Sequence, residues 1–492
     1  MEIKSQFNLP VEVLNVTEIL QRAGFEAYLV GGCVRDLIMG KEPKDWDVTT
    51  NAIPDQIQKL FPHSHYENKY GTVGVVNEET QDARLKVVEV TPFRLEAKYS
   101  DFRHPDSVTF ANTLEDDLRR RDFTINAIAY DPSKGHLIDP HKGQDGIQNG
   151  VLKAVGDPNE RFGEDALRML RAIRIANELN FVIESATQDA IISQETLLDH
   201  VSRERIRDEF VKIVMSESPA RGIDISHRLG IFKHIIPELE DGIGCEQNGD
   251  HIYDVWTHNL KALDHSATRK WAVHVRIGAL LHDVGKPKTR QWSNEKNDWT
   301  FYGHDVVGAR MTSKILERLK FSYETTEQVT KLVRYHLFFS DIEKITLSAV
   351  RRTVRNVGTD LIWDLMSIRA CDRIGMGRPK ETPYRLRKYE SMIEEAVRAP
   401  ISVAMLKIDG QDIMKIIGAP PGPIVGQILN ALMEEVLDDP ERNNGEYLKS
   451  RTEQLAKLPS DQLEGLSSKG KERKTRLEEQ EIGEIRRKYH VR

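Results

Sequence analysis

Cysteine is scarce in this chain, which has only Cys33, Cys245 and Cys371 among 492 residues. Such wide spacing argues against a disulfide framework or a zinc–thiolate cluster, and it favours a reducing compartment. Aromatic residues make up only 7%, and no apolar run approaches the roughly 18 residues of a membrane-spanning helix. The first ten residues, MEIKSQFNLP, lack the apolar core of a signal peptide. We therefore expect a soluble cytoplasmic protein with no membrane partner.

An excess of positive charge is also missing, because 70 Lys and Arg stand against 77 Asp and Glu and give a net charge of −7. Any surface for nucleic acid must therefore be a local patch. With 39% hydrophobic and 30% charged residues, the composition fits a largely helical globular protein. At roughly 100–200 residues per domain, the length predicts about three or four domains.

The stretch 27–50, AYLVGGCVRDLIMGKEPKDWDVTT, combines two features of phosphate chemistry. An apolar strand is followed by a turn at Gly31 and Gly32, which lets the backbone approach phosphate oxygens. A short helix and a second strand follow, and this strand carries Asp45 and Asp47. Side chains at i and i+2 of a strand share a face, so these carboxylates should lie together and repel each other unless a cation separates them. Because Mg²⁺ prefers oxygen ligands and substrate phosphates, the stretch predicts Mg²⁺-dependent nucleotidyl transfer.

A third carboxylate is expected from Glu89, which interrupts the apolar end of a predicted strand at 85–90. Glu89 either faces Asp45 and Asp47 as a further catalytic acid or is an ordinary glutamate of an edge strand. Residues 94–110 are polar and without periodicity, and they predict a mobile loop.

Two further segments place charged side chains beside apolar residues. The string RRDFTINAIAYD, at 120–131, follows an acidic helix, and arginine forks suit polyphosphate because they bind oxygens bidentately. The string RFGEDALRMLRAIRIANELNF, at 161–181, predicts one continuous helix. Its charged residues recur at steps of three and four and should share one face, which is either a base-binding surface or a solvated, salt-bridged one.

Taken in order, G-G-x-V-R-D, D-x-D, RRDFTINAIAYD, E-D-x-x-R and S-R-E-R-I at 202–206 resemble the motifs of the class II tRNA nucleotidyltransferase and poly(A) polymerase family. The resemblance implies an α+β fold: a polymerase beta-like nucleotidyltransferase head with a small mixed sheet, then a mostly helical neck, body and tail. It also implies nucleotide-binding residues in three groups. The first is Gly31, Gly32 and Arg35, and the second, at the ribose and triphosphate, is Asp122, Arg120, Arg121 and Asn126. The third, at the base, is Glu164, Asp165, Arg168 and Arg171.

In this family an aspartate and an arginine, here Asp165 and Arg168, act as a protein template for the base. A carboxylate accepts from the exocyclic amine, and a guanidinium donates to the ring, so cytosine and adenine are selected. The implied reaction adds CMP and AMP from CTP and ATP to the 3′ end of tRNA. The loop sequence YSDFRHPDS, at 99–107, favours terminal A addition, and GTVGVV at 71–76 argues against the poly(A) polymerase branch.

Four alternatives stay open on the sequence alone. The chain could be an A-adding enzyme, a poly(A) polymerase, a phosphohydrolase whose head only binds nucleotide, or a non-catalytic RNA-binding protein.

A second metal site is predicted further along the chain. His282 and Asp283 end an apolar helix, where a buried His–Asp pair is costly unless it binds a metal. Imidazole and carboxylate together suit Mn²⁺, Fe²⁺, Ni²⁺ or Mg²⁺. The pattern H…HD…D resembles the HD phosphohydrolase superfamily and implies metal-dependent phosphoester hydrolysis; the alternative is a degenerate domain kept as a scaffold. The implied ligands are His258, His282, Asp283 and Asp372, with His304 and His336 completing a second metal.

Four segments are expected: a head at 1–150, a helical neck with the base-recognition helix at 151–240, an HD domain at 241–380, and a helical RNA-binding tail at 381–492. The tail's G-x-D-I-M-x-I-x-G-x-x-P-G-P-x-V-G string, at 410–426, is similar to the start of the family's tail helices. The oligomeric state is left open.

Overall fold

The computed structural model describes residues 7–66, 71–96, 108–111, 113–249, 251–337, 345–398 and 403–491. The chain folds into two compact units. The first comprises 1–336 and 367–379, and the second comprises 337–366 and 380–492.

A mixed sheet of seven strands forms the centre of the head. Its strands, in chain order, are β1 (Ala27–Val30), β2 (Asp47–Thr50), β3 (Ser64–Tyr66), β4 (Val73–Val76), β5 (Val87–Pro92), β8 (Ala129–Asp131) and β9 (His136–Ile138), while β6 (Arg94–Glu96) and β7 (Val108–Phe110) pair separately. The spatial order is β3-β4-β5-β2-β1-β8-β9. In this sheet β2 and β5 pair in parallel, and the other neighbouring strands pair antiparallel.

Five helices surround this sheet: α1 (Val11–Arg22), α2 (Gly32–Ile38), α3 (Pro54–Leu60), α4 (Leu114–Arg119) and α5 (Gly143–Asn149). Helix α1 buries Val13, Val16 and Leu20 in an apolar core shared with Leu29 of β1. The loop predicted for 94–110 is partly wrong, because its two ends form the antiparallel pair β6 and β7. The string YSDFRHPDS lies outside the described residues.

The neck is helical and begins with a two-stranded parallel pair. Its elements are β10 (Val151–Leu152), α6 (Pro158–Glu164), α7 (Leu167–Leu179), β11 (Val182–Ile183), α8 (Ser185–Gln194), α9 (Arg203–Val214), α10 (Pro219–Arg228) and α11 (Pro237–Glu240). The single helix predicted for 161–181 is wrong, because the chain breaks between α6 and α7. Asp165 takes an extended conformation there, and its carboxylate accepts a hydrogen bond from Leu167 N at 3.1 Å, which caps α7.

The body packs against the neck through one continuous apolar core that includes Ile173, Phe210, Leu263 and Leu280. Its elements are α12 (Val255–Thr268), α13 (Val273–Leu281), α14 (Lys286–Thr289), β12 (Gln291–Ser293), β13 (Asp298–Thr300), α15 (His304–Arg318) and α16 (Tyr323–Tyr335). Strands β12 and β13 form a small antiparallel hairpin.

The second unit is helical in its described part. Its helices are α17 (Leu347–Val357), α18 (Ile362–Gly375), α19 (Tyr384–Val397), α20 (Gly410–Ile417), α21 (Pro423–Asp438), α22 (Gly445–Leu455) and α23 (Ser460–Lys488), of which α18 contributes residues to both units. Asp409 caps α20 by accepting from two backbone amides at 2.8 and 2.9 Å. No helix in the described part of the chain has both the length and the apolar character that a membrane crossing requires.

Candidate active site and metal centre

Two acidic side chains of the head lie on adjacent strands. Asp47 opens β2 and stands directly opposite Glu89 of β5 in the parallel register. Residues in register on neighbouring strands project to the same face, so the side chains of Asp47 and Glu89 lie side by side. Asp45 lies in a bend before β2 and not within the strand, so its position does not follow from strand alternation.

The charge environment of Asp47 reflects burial and its neighbours. Burial raises the pKa of the Asp47 carboxyl, the Arg121 guanidinium opposes this shift, and the charge of Asp45 adds to it. The negative charge of Asp45 therefore acts on Asp47, while their sharing of a metal ion stays a prediction. A cation between the two carboxylates would relieve both the burial and the repulsion.

The glycine turn brings the backbone against these charged groups. Gly31 has a φ of +81°, which favours glycine, and α2 begins at the next residue. A Cβ added at Gly31 would lie 3.1 Å from Asp47 Oδ2 and 3.2 Å from Arg121 Nη1. The turn, the carboxylate and the guanidinium therefore meet at one point.

Arg120 and Arg121 are held by an acid that the sequence analysis did not single out. Asp117 is fully buried and accepts from Arg120 at 2.6 and 2.9 Å, from Arg121 at 3.2 Å and from the Thr49 hydroxyl at 3.2 Å. Burial alone would raise the pKa of Asp117, but the two arginines hold it below its ordinary value. The available signal was an acid three and four residues before two arginines on a predicted helix.

Asp122 links the head to the neck. Arg171 of α7 donates to Asp122 Oδ2 from Nε at 3.0 Å and from Nη2 at 2.6 Å. Burial would raise the pKa of Asp122, yet Arg171 holds it at about 2. Asn126 donates to Asp122 Oδ1 at 3.2 Å and accepts from Arg35 at 2.9 Å. Four predicted nucleotide-binding residues thus form one hydrogen-bonded chain.

The two residues predicted to select the base sit on either side of the helix break. Asp165 lies between α6 and α7, and its carboxylate accepts hydrogen bonds of 3.1 and 2.7 Å from Arg205 of α9. Arg168 donates to Glu164 at 2.5 Å and to the carbonyl of Arg120 at 3.2 Å. Arg205 belongs to the S-R-E-R-I string, which the sequence analysis matched to a family motif without predicting a particular contact.

The body contains a buried cluster of four potential metal ligands. His258 Nε2 lies 2.9 Å from His282 Nε2, 3.1 Å from Asp283 Oδ2 and 3.4 Å from Asp372 Oδ1. One ligand atom from each of the four residues lies within 4.8 Å of the others. These are the four residues that the H…HD…D pattern implied.

A second cluster shares Asp283 with the first. Asp283 Oδ1 lies 3.2 Å from His304 Nε2 and 3.5 Å from His336 Nε2, so the two carboxylate oxygens face different clusters. The Nδ1 atoms of His282, His304 and His336 bond to backbone carbonyls at 2.7–2.8 Å. Such bonds fix the tautomer that leaves Nε2 with a lone pair for a metal.

The donor set fits a divalent cation. Although the Nε2 atoms of His304 and His336 are buried, neither has a hydrogen-bond partner in the described part of the chain. Burial would raise the pKa of Asp283, but the positive charge of Lys286 holds it well below its ordinary value, so the carboxylate is charged. A carboxylate with several imidazole nitrogens around it is a set of ligands that a divalent metal ion stabilises.

Three family models match the chain. They are the poly A polymerase head domain at residues 27–153, the "probable RNA and SrmB-binding site of polymerase A" at residues 180–243, and the HD domain at residues 250–377. These matches confirm the predicted head and HD body, and with the fold above they confirm the predicted α+β class.

Curated relatives span nearly the whole chain. The CCA-adding enzyme of Geobacillus sp. (strain WCH70) is 33% identical over 439 residues, covering 89% of this chain and 95% of the relative. That of Limosilactobacillus reuteri (strain DSM 20016) is 32% identical, covering 90% and 96%. The crystal structure of the Bacillus stearothermophilus CCA-adding enzyme in complex with CTP aligns with a TM-score of 0.58 at 27% identity, over 90% of this chain and 96% of that one. The chain therefore belongs to the family of CCA-adding enzymes, the class II tRNA nucleotidyltransferases, and carries an HD domain.

Proposed function

We propose that the head adds CMP and AMP, from CTP and ATP, to the 3′ end of tRNA without a nucleic-acid template. The observation that carries this proposal is the position of Asp47, which lies opposite Glu89 on central strands of the sheet and close to Arg121 and the Gly31 turn. The family of CCA-adding enzymes, whose B. stearothermophilus member is known in complex with CTP, supports the same conclusion.

In the proposed reaction, the oxygen of the RNA 3′-hydroxyl forms a bond to the α-phosphorus of the nucleotide. The bond from that phosphorus to the bridging oxygen of the β-phosphate breaks, pyrophosphate leaves, and the hydroxyl proton passes to solvent. Asp45 and Asp47 would hold Mg²⁺, which when bound lowers the pKa of the hydroxyl and neutralises the triphosphate. Glu89 stands opposite Asp47 as the third acid of the same site.

Arginines would position the rest of the nucleotide. Arg120 and Arg121 are fixed by Asp117 and would contact the triphosphate with their remaining N–H groups. Asp122 would bind the ribose, and Asn126, to which Arg35 donates a hydrogen bond, would support the triphosphate region.

Base selection would be set by Asp165 and Arg168. Because Arg205 holds Asp165 and Glu164 holds Arg168, each side chain has a fixed direction before the nucleotide binds. A fixed carboxylate and guanidinium favour an amino group beside an acceptor, which cytosine and adenine share. We assign nucleotide transfer to 1–150, base selection to 151–240, the second metal site to 241–380 and RNA binding to 381–492, in a protein of the cytoplasm.

A single assay separates the alternatives. The purified protein is incubated with tRNA lacking CCA and with CTP and ATP, singly and together, beside an Asp45→Ala variant. We expect two CMP and then one AMP to be added. Addition of AMP only to tRNA that already ends in CC would instead indicate an A-adding enzyme, long A tracts would indicate a poly(A) polymerase, and no addition would leave the head as a binding module.

A second activity, metal-dependent hydrolysis of a phosphoester, is favoured by the two clusters that share Asp283. In this reaction a water oxygen bonds to phosphorus, the ester P–O bond breaks, and the alcohol leaves with a proton. His258, His282, Asp283 and Asp372 would hold one divalent cation, and Asp283, His304 and His336 a second. When bound, such a metal activates water near neutral pH.

The test is a His282→Ala, Asp283→Asn double variant of the full chain. We expect it to lose metal-dependent phosphoester cleavage and bound divalent metal, as measured by elemental analysis, while nucleotide addition continues. Cleavage that persists in this variant would place the hydrolytic site elsewhere.

A further inference from the structure

A chain of hydrogen bonds connects α2 of the head with α7 of the neck. It begins at Asp36, whose Oδ1 accepts from Arg35 Nε at 2.9 Å and from Arg35 Nη2 at 2.7 Å. Arg35 Nη1 donates to Asn126 Oδ1 at 2.9 Å, and Asn126 Nδ2 donates to Asp122 Oδ1 at 3.2 Å. Arg171 closes the chain with its two bonds to Asp122 Oδ2. Asp36 is the member of this chain for which the sequence analysis expected no function.

The Asp36 carboxylate acts on one side chain. The side chains of Asp36 and Arg35 are each only 16% exposed, so the two charges compensate each other away from most of the solvent. Among the described residues, the carboxylate bonds to Arg35 alone. It occupies Nε and Nη2 of the guanidinium and leaves Nη1 directed at Asn126. The position of Asp36 therefore fixes the plane in which Arg35 donates to Asn126.

Arg35 in turn sets the orientation of the Asn126 amide. The oxygen and the NH2 group of an amide have nearly the same shape, so only their hydrogen-bond partners distinguish the two orientations. A guanidinium only donates, and it therefore requires the amide oxygen on its side. The NH2 group of Asn126 then faces Asp122, which as a carboxylate only accepts. A reversed amide would place an oxygen against the carboxylate of Asp122 and an NH2 group against Arg35, and both contacts would be repulsive.

The carboxylate of Asp122 is thereby held at both of its oxygens. Asn126 bonds to Oδ1 from the side of the head, and Arg171 bonds to Oδ2 from the side of the neck. A carboxylate with a fixed direction accepts a hydrogen bond from a hydroxyl at one defined place. A site built in this way favours a sugar with that hydroxyl over an analogue that lacks it. Recognition of the ribose by Asp122 therefore depends on the orientation of the Asn126 amide.

We propose that Asp36 is a positioning residue for recognition of the ribose: it holds Arg35, Arg35 orients the Asn126 amide, and the amide directs Asp122 at a ribose hydroxyl of the incoming nucleotide. This inference rests on the nucleotide addition proposed above and adds a residue that sets its selectivity for the sugar. Asp36 itself does not touch the nucleotide. Loss of its carboxylate weakens binding of a nucleotide with the recognised hydroxyl and leaves a nucleotide without that hydroxyl unaffected.

The test compares CTP with its 2′-deoxy and 3′-deoxy analogues in the first addition to tRNA lacking CCA. KM and kcat are measured for the wild type, Asp36→Ala, Asp36→Asn and a control, Asp145→Ala, which removes an exposed carboxylate of α5. We expect Asp36→Ala to raise KM for CTP roughly tenfold at unchanged kcat. KM for the analogue that lacks the recognised hydroxyl should not change, and the other analogue should follow CTP.

Two further variants complete the test. Asp36→Asn keeps an acceptor oxygen for Arg35 and should recover part of the loss, while Asp145→Ala should match the wild type with all three nucleotides. An equal rise of KM for CTP and both analogues would show that Asp36 acts on the triphosphate or on the fold as a whole, and it would overturn the proposal. An unchanged KM for CTP in Asp36→Ala would overturn it as well.

A binding measurement separates this inference from the activity beneath it. If the wild type adds no nucleotide, the proposed addition is wrong, but calorimetric titration with CTP and the two analogues in the presence of Mg²⁺ still tests the ribose site. We expect the wild type to bind CTP more tightly than one analogue and Asp36→Ala to bind these two nucleotides alike. A preference that persists in Asp36→Ala would contradict the role of Asp36. Equal binding of all three nucleotides by the wild type, or no binding of CTP, would contradict the recognition itself.

Discussion

At the scale of single residues, Gly31 is the glycine of the head that brings the backbone close to the proposed catalytic groups. Gly31 and Gly24 share a positive φ, +81° and +88°, but only Gly31 would bring a Cβ to about 3 Å from Asp47 and Arg121. At Gly24 an added Cβ meets no described atom within 4 Å. The two glycines therefore separate backbone strain from crowding of the site.

We expect Gly31→Ala to lower the rate of CMP incorporation more than tenfold, because it displaces a carboxylate and a guanidinium of the site. Gly24→Ala should cost only about 1 kcal/mol of folding free energy through its left-handed backbone and should leave incorporation intact. Similar rates for the two variants would show that the approach at Gly31 does not matter. The rates are compared at a temperature where circular dichroism shows both variants folded.

The ion pair of Asp122 and Arg171 sets a pH-dependent part of the stability. Arg171→Gln removes the two hydrogen bonds that the guanidinium donates to the Asp122 carboxylate, which is 10% exposed. We expect the free energy of unfolding to fall by about 1–3 kcal/mol at pH 7. Solvent screening reduces the loss, because Arg171 itself is 35% exposed. Since the pKa of Asp122 is held at about 2 in the fold, the stabilisation is complete above its unfolded value of about 4 and disappears as pH falls toward 2.

Urea unfolding of the wild type and Arg171→Gln between pH 2 and pH 7 measures this difference in the free energy of unfolding. The difference should be constant at neutral pH and should shrink as pH falls from about 4 toward 2. Arg22→Gln, which removes a 78% exposed surface pair with Glu18, should match the wild type throughout. A difference that grows toward pH 2 would contradict the assigned charge of Asp122.

At the scale of elements, the break between α6 and α7 shapes the proposed base-selecting pair. The three- and four-residue spacing of charged residues was recognisable in the sequence, but the break was not, because helical periodicity continues across Asp165. At this break Asp165 accepts a hydrogen bond from Arg205 of α9, which lies 40 residues further along the chain and which no local pattern predicts. Asp117 was overlooked for a similar reason, since its contact with Thr49 of β2 is also distant in the sequence.

Arg205→Lys tests whether the contact between Arg205 and Asp165 positions the residues proposed to select the base. Lysine keeps the charge but cannot bond both oxygens of Asp165, so we expect a several-fold higher KM for CTP and ATP and weaker discrimination against UTP and GTP. The matched control is Arg207→Lys on the same helix, where Arg207 bonds to Asp208 at 2.8 and 2.9 Å. Equal KM values in the two variants would show that the fork does not position Asp165.

At the scale of the whole molecule, the first unit carries both candidate metal centres. The pattern H…HD…D selected four residues that come from distant positions in the sequence and lie buried together in the structure: His258, His282, Asp283 and Asp372. The role of D-x-D in binding Mg²⁺ stays a prediction. The hairpin β12–β13 in the body was not predicted from the sequence. The strand that carries Asp45 was predicted too long, because alternation continued in the sequence where the backbone bends.

The proposed chemistry of the head depends most directly on the carboxylate of Asp47. The decisive measurement is the rate of CMP incorporation into tRNA lacking CCA by Asp47→Asn, compared with Asp55→Asn, an exposed carboxylate of α3 in the same head. We expect Asp47→Asn to lose at least about three orders of magnitude, as removal of a metal ligand at the reacting phosphate should, and Asp55→Asn to match the wild type. Incorporation by Asp47→Asn at the wild-type rate would contradict the proposed active site.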